Sequence, residues 1–370
     1  MLSETRSFLQ NPYEFCTRHG SDPFFAKVFG VKTLFISDPI RAHQALNMSD
    51  SVLSGSAGNR AVASALFGTS VLYADGDWHK MLRRAMKEFF APRTELTESV
   101  SSRQAVRVAD SIGTLRMSSH RFFRILSLCV TAEYFLDSVI DPHEADRLAL
   151  DVDLLGKGLY ATEISDNPNS RFGKAVRARL RLDDYLGNRI GEKFSRPLRE
   201  AGLDKRATLD QAVTMLFAGV DTTSVAMTYA AELLTGRVDG GGSISRPAII
   251  AAVRSALLKF PPVYFIPRGV LADVKLSNIQ VKKGWFVNIM ICALHEHSTE
   301  GHKSSGYIPF GLGEKRCPGE VFAMRSSAAM LERLFTDYKV ELSGGREGLE
   351  FMPGLRPKAS KVISLLPTRH

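Results

Sequence analysis

Tyr307-Ile308-Pro309-Phe310-Gly311-Leu312-Gly313-Glu314-Lys315-Arg316-Cys317-Pro318-Gly319-Glu320 places one cysteine in a loop punctuated by three glycines, with an apolar helical pattern behind it. A metal-binding thiolate must be held deprotonated, which calls for nearby positive charge and for backbone N–H groups aimed at the sulfur. Lys315 and Arg316 supply cations on its N-terminal side, and Gly311, Gly313 and Gly319 let the backbone bend without a Cβ. Pro318 suits the first turn of the helix that follows, where its missing N–H is no loss. Most free cysteines are buried and inert. Cys317, set among glycines and charges, reads instead as a metal ligand.

The stretch resembles the haem-binding loop of the cytochrome P450 family, whose pattern is Phe-x-x-Gly-x-(Arg or His)-x-Cys-x-Gly. Phe310, Gly313, Cys317 and Gly319 match, while the basic position two before the cysteine is Lys315, with Arg316 one place later. The resemblance implies haem b (iron protoporphyrin IX) held by Cys317, with Phe310, Gly311, Lys315, Arg316 and Gly319 around it.

The 370 residues allow two or three domains or one large helical one. Hydrophobic residues make up 44% and charged residues 24%, which suits a globular chain with a sizeable core. No apolar run approaches the length of a membrane span, and Met1 to Gln10 is too polar for a signal peptide or anchor. Beside microsomal members of the family, which carry an anchor, this implies a soluble, bacterial-type protein of the cytoplasm. Cys16, Cys129, Cys292 and Cys317 are scattered without a Cys-x-x-Cys spacing, which argues against a disulfide framework or zinc site. The net charge of +9 is dispersed and no nucleic-acid motif accompanies it, so an acidic protein is the expected macromolecular partner.

Outward from the loop, residues 24–36 predict two short strands turning at Gly30, and Ser37-Asp38-Pro39 a helix start with Asp38 as cap. In the basic segment Ala74 to Arg84, His79 and Arg83 lie four apart and share a helix face, a good receptor for a carboxylate. By resemblance they bind haem propionates, and Trp78 is expected in the core. Residues 118–140 predict one or two buried helices, 149–164 an amphipathic helix, 167–170 a loop and 171–194 a long basic helix. The resemblance places the substrate roof in this region, and it shows no specificity motif.

A capping box at Thr208 and Gln211 predicts the start of a helix that is apolar all round, hence buried, and ends at Gly236. Its midpoint reads Ala218-Gly219-Val220-Asp221-Thr222-Thr223. Gly219 admits a close neighbour, Thr222 can bond the preceding carbonyls, and a buried Asp221 needs a partner or a task. The match to the family's Ala-Gly-x-(Asp/Glu)-Thr-Thr implies that Asp221 and Thr222 relay protons to dioxygen, with Ala218 and Gly219 over the haem face. The acid–alcohol pair favours oxygen activation over direct use of peroxide.

Past an Asp239 to Ser243 linker the resemblance weakens. The family's Glu-x-x-Arg falls on Ser255 and Leu258, just before Pro261-Pro262, and neither charge is present. The segment from Ser298 to Gly306, where the family supplies a further Arg to that network, is short. Losing one partner of a buried ionic network is costly, whereas losing all can be nearly neutral. Apolar packing around Leu258 is the expected replacement. Arg268, after Pro267, matches a propionate-binding Arg. Leu276 to Val287 predicts a hairpin turning at Lys282-Lys283-Gly284. His295 and His297 have no third ligand at a metal spacing and read as surface or packing residues. Glu320 to Phe335 predicts a helix whose positive end faces the thiolate. Residues 338–366 predict short strands, with Met352 to Leu355 a turn near the pocket.

The expectation is a mainly α (α+β) cytochrome P450 fold in one domain, 1–370. It would comprise a β-rich part (1–75), a helical core (76–262) and a part (263–370) holding the hairpin, the cysteine loop, and the last helix and strands. The implied function is a haem-thiolate monooxygenase that hydroxylates an apolar small molecule, in secondary metabolism. Electrons would come from NAD(P)H through a ferredoxin or flavodoxin and its reductase, steered by Lys80, Arg84, Lys87 and Lys315. Two other readings stay open: a haem-thiolate peroxygenase, isomerase or dehydratase, and a non-enzymatic P450-like partner that activates another biosynthetic enzyme.

Overall fold

A computed structural model describes residues 2–19, 23–57, 60–91, 93–112, 116–161, 163–236, 244–296, 298, 305–345 and 347–368. The chain opens with helices α1 (Leu2–Gln10) and α2 (Pro12–His19), then strands β1 (Phe24–Val28) and β2 (Val31–Ile36). These two pair antiparallel across Phe29 and Gly30, both at positive φ. Helix α3 (Pro39–Leu46) starts on Asp38, whose side chain accepts from the Arg41 N–H, with Pro39 at its first position. Strand β3 (Leu53–Ser54) and helix α4 (Arg60–Phe67) follow. Among the described residues, the first 75 positions thus hold more helix than strand, a correction to the β-rich expectation. The sheet that these strands join is completed by two strands from far along the chain.

The helical core comprises α5 (Gly76–Ala85), α6 (Thr94–Ile112), a short β4 (Met117–Ser118), α7 (Ser119–Leu136), α8 (Pro142–Gly158), α9 (Arg171–Leu186), α10 (Glu192–Glu200), α11 (Lys205–Thr235) and α12 (Arg246–Lys259). The basic stretch expected as one helix is two, α9 and α10, because the chain turns at Gly187 to Gly191. A Cβ on Gly191 would stand 2.5 Å from that of Asp137. Helix α11 starts earlier than the Thr208 capping box. Asp204 is its cap, accepting from the Ala207 N–H at 2.7 Å, and Thr208 lies buried one turn inside. Gln211 does not reach back to Thr208. It accepts from the Val71 N–H and donates to the Thr69 carbonyl, both at 2.9 Å. Beside it, Asp210 is buried against Arg179 and accepts from the Thr69 N–H at 2.9 Å. These bonds fasten the start of α11 to the segment before α5.

The last third holds β5 (Ile266–Val270), β6 (Val274–Leu276), β7 (Ile279–Val281), β8 (Phe286–Ile289), α13 (Ile291–Glu296), α14 (Glu320–Asp337), β9 (Tyr338–Ser343), β10 (Glu347–Glu350), β11 (Arg356–Ala359) and β12 (Val362–Pro367). The expected hairpin is shorter than predicted. It joins β6 to β7 and turns at Ser277 (φ 53°) and Asn278. Lys282 to Gly284 instead leads into β8, which runs parallel to β2 and antiparallel to β5. The resulting sheet has the order β1-β2-β8-β5-β3. Helix α7, buried along most of its length, packs on α11, and α14 packs on α6 and α12. Among the described residues, no helix is long and apolar enough to cross a membrane. The 239–243 linker and His297 lie outside the described residues.

Candidate cofactor and active site

The cysteine loop hangs between Tyr307 and α14. The Cys317 N–H donates to the Phe310 carbonyl at 2.9 Å and the Gly311 N–H to that of Ile308 at 3.0 Å, which closes the loop on itself. Gly311 and Gly313 both have positive φ, and a Cβ at Gly313 would lie 2.3 Å from the Leu46 carbonyl oxygen. The Gly319 position is open beside the sulfur, since an added Cβ would sit 3.7 Å from Cys317 Sγ and from Phe90.

Cys317 is exposed, yet protein crowds it on its other sides, and that crowding governs its acidity. Burial raises the thiol above its ordinary value, against the Gly319 amide and the Arg83 guanidinium, which favour the thiolate. Coordination to a metal cation would reverse this, because a bound thiol is deprotonated outright.

Helix α5 carries the basic groups beside this loop. Asp75 stands at its N-cap position but turns its carboxylate away, to Ser54, Ser56 and Lys315. Burial alone would raise the Asp75 pKa; the serine hydrogen bonds and the Lys315 ammonium outweigh it and hold the carboxyl well below the usual range. Lys315 also contacts Asp50 at 3.1 Å, so it is enclosed and paired rather than free for a cofactor or carrier. Lys80, Arg84 and Lys87 are exposed. Trp78 is 42% exposed, so it belongs to the surface and not to the core.

His79 is buried, and desolvation, with Lys315 and Arg83 nearby, lowers its pKa to about 4. Arg83 donates to the Arg316 carbonyl at 3.1 Å. Arg268, on β5, is 8% exposed and donates to the Pro267 carbonyl at 2.9 Å. Neither guanidinium has a carboxylate within ion-pair distance among the described residues, although a buried cation without one is costly. An anionic ligand with carboxylate arms fits that need. Arg316 instead pairs with Glu320 at 2.7 Å.

On α11 burial breaks at one step. Leu216 and Val220 are fully buried, whereas Ala218 is exposed and Thr222 partly so. The Thr222 hydroxyl donates to the Ala218 carbonyl at 2.7 Å. Gly219 serves a different neighbour from the one expected. A Cβ there would lie 2.8 Å from Thr131 Oγ1, so the missing side chain admits α7. Four residues along α7, Phe135 contacts Phe90 at 5.3 Å, and Phe90 borders Gly319 of the cysteine loop. Helix α7 therefore reaches both the open step of α11 and the cysteine loop.

Asp221 has a partner that sequence reading missed. Arg124 Nε lies 2.9 Å from its Oδ1. Neither oxygen of Asp221 is aligned for a hydrogen bond, so the contact is electrostatic. Beyond it Asp153 meets Arg356 and Lys157, and Arg356 also meets Glu350. Burial opposes the Arg356 charge, but Asp153 and then Asp221 outweigh it and raise its pKa. A lone Arg in the apolar run Phe122 to Phe135 was the available signal. An aromatic wall was missed as well: Phe67 packs on Phe217 (4.9 Å) and Tyr73 (5.4 Å), and the Tyr160 hydroxyl donates to the Pro353 carbonyl.

The sequence profile described as Cytochrome P450 matches residues 251–363, which contain Arg268, the cysteine loop and α14. Abscisic acid 8'-hydroxylase 2 of Arabidopsis thaliana is 23% identical over 99% of this chain and 88% of its own length. Putative cytochrome P450 135B1 of Mycobacterium tuberculosis is 25% identical over 96% of this chain and 84% of its own. Among solved structures, retinoic acid-bound cyanobacterial CYP120A1 superposes with a TM-score of 0.82 at 20% identity, covering 99% of this chain and 96% of that one. CYP175A1 of Thermus thermophilus gives 0.76 at 20% identity, over 98% and 96%. The cysteine loop, the Asp221–Thr222 step on a long central helix and this likeness along nearly the whole chain lead to one conclusion: the chain has the cytochrome P450 fold and carries a cytochrome P450 sequence profile over residues 251–363.

Proposed function

We propose that this protein holds haem through Cys317 and hydroxylates an apolar small molecule with dioxygen, taking electrons from NAD(P)H through a ferredoxin or flavodoxin and its reductase. The observation that carries the proposal is the open step at Ala218 and Thr222 in an otherwise buried helix, tied through α7 to an open cysteine. When bound, haem supplies the iron at which dioxygen is reduced. The protein groups do the rest. Arg83, Arg268 and His79 hold the carboxylate arms, and the Cys317 sulfur is the ligand. Ala218 leaves room beside the reacting centre, and Phe67, Tyr73 and Phe217 exclude water from it. Thr222 Oγ presents a proton there. Asp221 takes up its replacement at Oδ2 while Oδ1 stays against Arg124. Lys80, Arg84 and Lys87 offer a basic surface to an acidic carrier. A hydroxylase and a retinoic acid-bound protein among the similar proteins agree with an apolar substrate.

The test is the visible spectrum of the purified protein, reduced with dithionite and exposed to carbon monoxide, beside Cys317→Ala. A strongly red-shifted Soret band that Cys317→Ala abolishes is expected. Haem without that shift, or no haem, would overturn the proposal. Oxygen consumption with carrier and reductase, lost in Thr222→Ala, separates it from direct use of peroxide.

A further inference from the structure

Ser255 and Leu258 lack the charges that the family resemblance leads one to expect, and Leu258 does not replace them by apolar packing, since its side chain is only half buried. Arg254 and Lys259 beside it are exposed. The backbone of α12 is engaged instead. His295, 4% exposed on α13, places Nδ1 3.2 Å from the Leu258 carbonyl and Nε2 3.2 Å from the Ile308 amide. A carbonyl only accepts and an amide N–H only donates, so Nδ1 carries the proton and Nε2 the lone pair. The Tyr307 ring packs on the imidazole at 5.3 Å, and its hydroxyl donates to the Arg254 carbonyl at 3.4 Å. From Ile308 the chain is relayed onward, through the Gly311 amide on the Ile308 carbonyl and the Cys317 amide on that of Phe310.

We propose that His295, as a neutral imidazole, is the positioning residue that couples the end of α12 to the cysteine loop and sets the register of Ile308 to Cys317. One donor and one acceptor on a rigid ring span two backbone groups from different elements without burying a net charge. Burial lowers the His295 pKa to about 4, which keeps the ring in that form.

The bridge itself is testable whether or not haem is bound. The measurement is amide hydrogen exchange, by mass spectrometry, on purified wild type and on His295→Phe, Gln and Asn. Losing the acceptor on Ile308 in His295→Phe should speed exchange of the peptide covering 305–312 roughly tenfold, with α11 unchanged. His295→Gln, which keeps an acceptor at the Nε2 position, should recover most of the protection. His295→Asn, which keeps only the donor toward Leu258, should not. Equal exchange in Phe and wild type would overturn the proposal, as would equal acceleration in Phe and Gln. Should His295→Phe fail to fold, equal exchange in Gln and Asn would overturn it. The link to the sulfur, which rests on the haem proposal, is read from the reduced carbon monoxide band. Its unshifted fraction should rise several-fold in His295→Asn and return in His295→Gln. A protein without haem would refute the proposed function and leave the exchange result standing.

Discussion

Asp221 is the residue whose surroundings say most about the site. Its side chain is 14% exposed and that of Arg124 is 11% exposed, with 2.9 Å between their charges. Removing one member of such a pair leaves the other buried without compensation, which costs about 3–5 kcal/mol when burial is complete and less here. Asp221→Asn is therefore expected to destabilise the protein by about 2–3 kcal/mol. Adding Arg124→Leu should recover more than half of that. A denaturant double-mutant cycle checks it, and simple additivity would show that the two charges do not interact. At the same scale the cysteine loop was readable because its residue types are unusual together. Lys315 shows the limit of such reading, since its partners Asp50 and Asp75 lie at least 240 positions away along the chain.

Helices α7 and α11 approach closely because Gly219 carries no side chain where Thr131 passes. Gly219→Ala is expected to cost about 1–3 kcal/mol through overpacking. The double variant with Thr131→Ala should return most of the lost midpoint in thermal unfolding. If Gly219→Ala unfolds like wild type, α7 has room to give at that contact. The stop of α11 at Gly236 was legible, because it is the first glycine or proline after Gly219. Its start was misplaced by one turn. Asp204 and Thr208 are both good caps, and only the bonds from Asp210 and Gln211 to residues 69–71 show why the earlier one is used. The hairpin turn was misplaced for a like reason. Lys282-Lys283-Gly284 is a sound turn, but the strands on its two sides belong to different sheets.

Over the whole molecule, two histidines outside the cysteine loop and α5 are held neutral by burial: His295 at about 4 and His120 at about 3. Arg124 and Arg356 add to the lowering at His120. An unfolded histidine titrates near 6.5, so between that value and the folded one the unfolded chain binds more protons. Stability from these groups is complete above about pH 6.5 and is lost as the pH falls toward 4 and then 3, by up to about 1.4 kcal/mol per pH unit for each. Urea midpoints between pH 7 and pH 4 should fall accordingly, and His120→Gln should flatten the decline. An unchanged slope in that variant would show that His120 is not held neutral in the native state. Asp75, held low, loses its contribution in the same direction at more acid pH.

The division between the two levels of reading follows from range. Order along the chain was enough for the mainly helical class, the buried central helix, the cysteine loop and the absent Glu-x-x-Arg, because each rests on residue types within about a dozen positions. Partners are a different matter. Arg124 against Asp221, Thr131 against Gly219, Lys315 between Asp50 and Asp75, and His295 between Leu258 and Ile308 each join separate elements. A buried polar group must find a partner, but its sequence neighbourhood does not say which one. Only the packing of α7, α11, α12 and the loop around a common centre makes that choice.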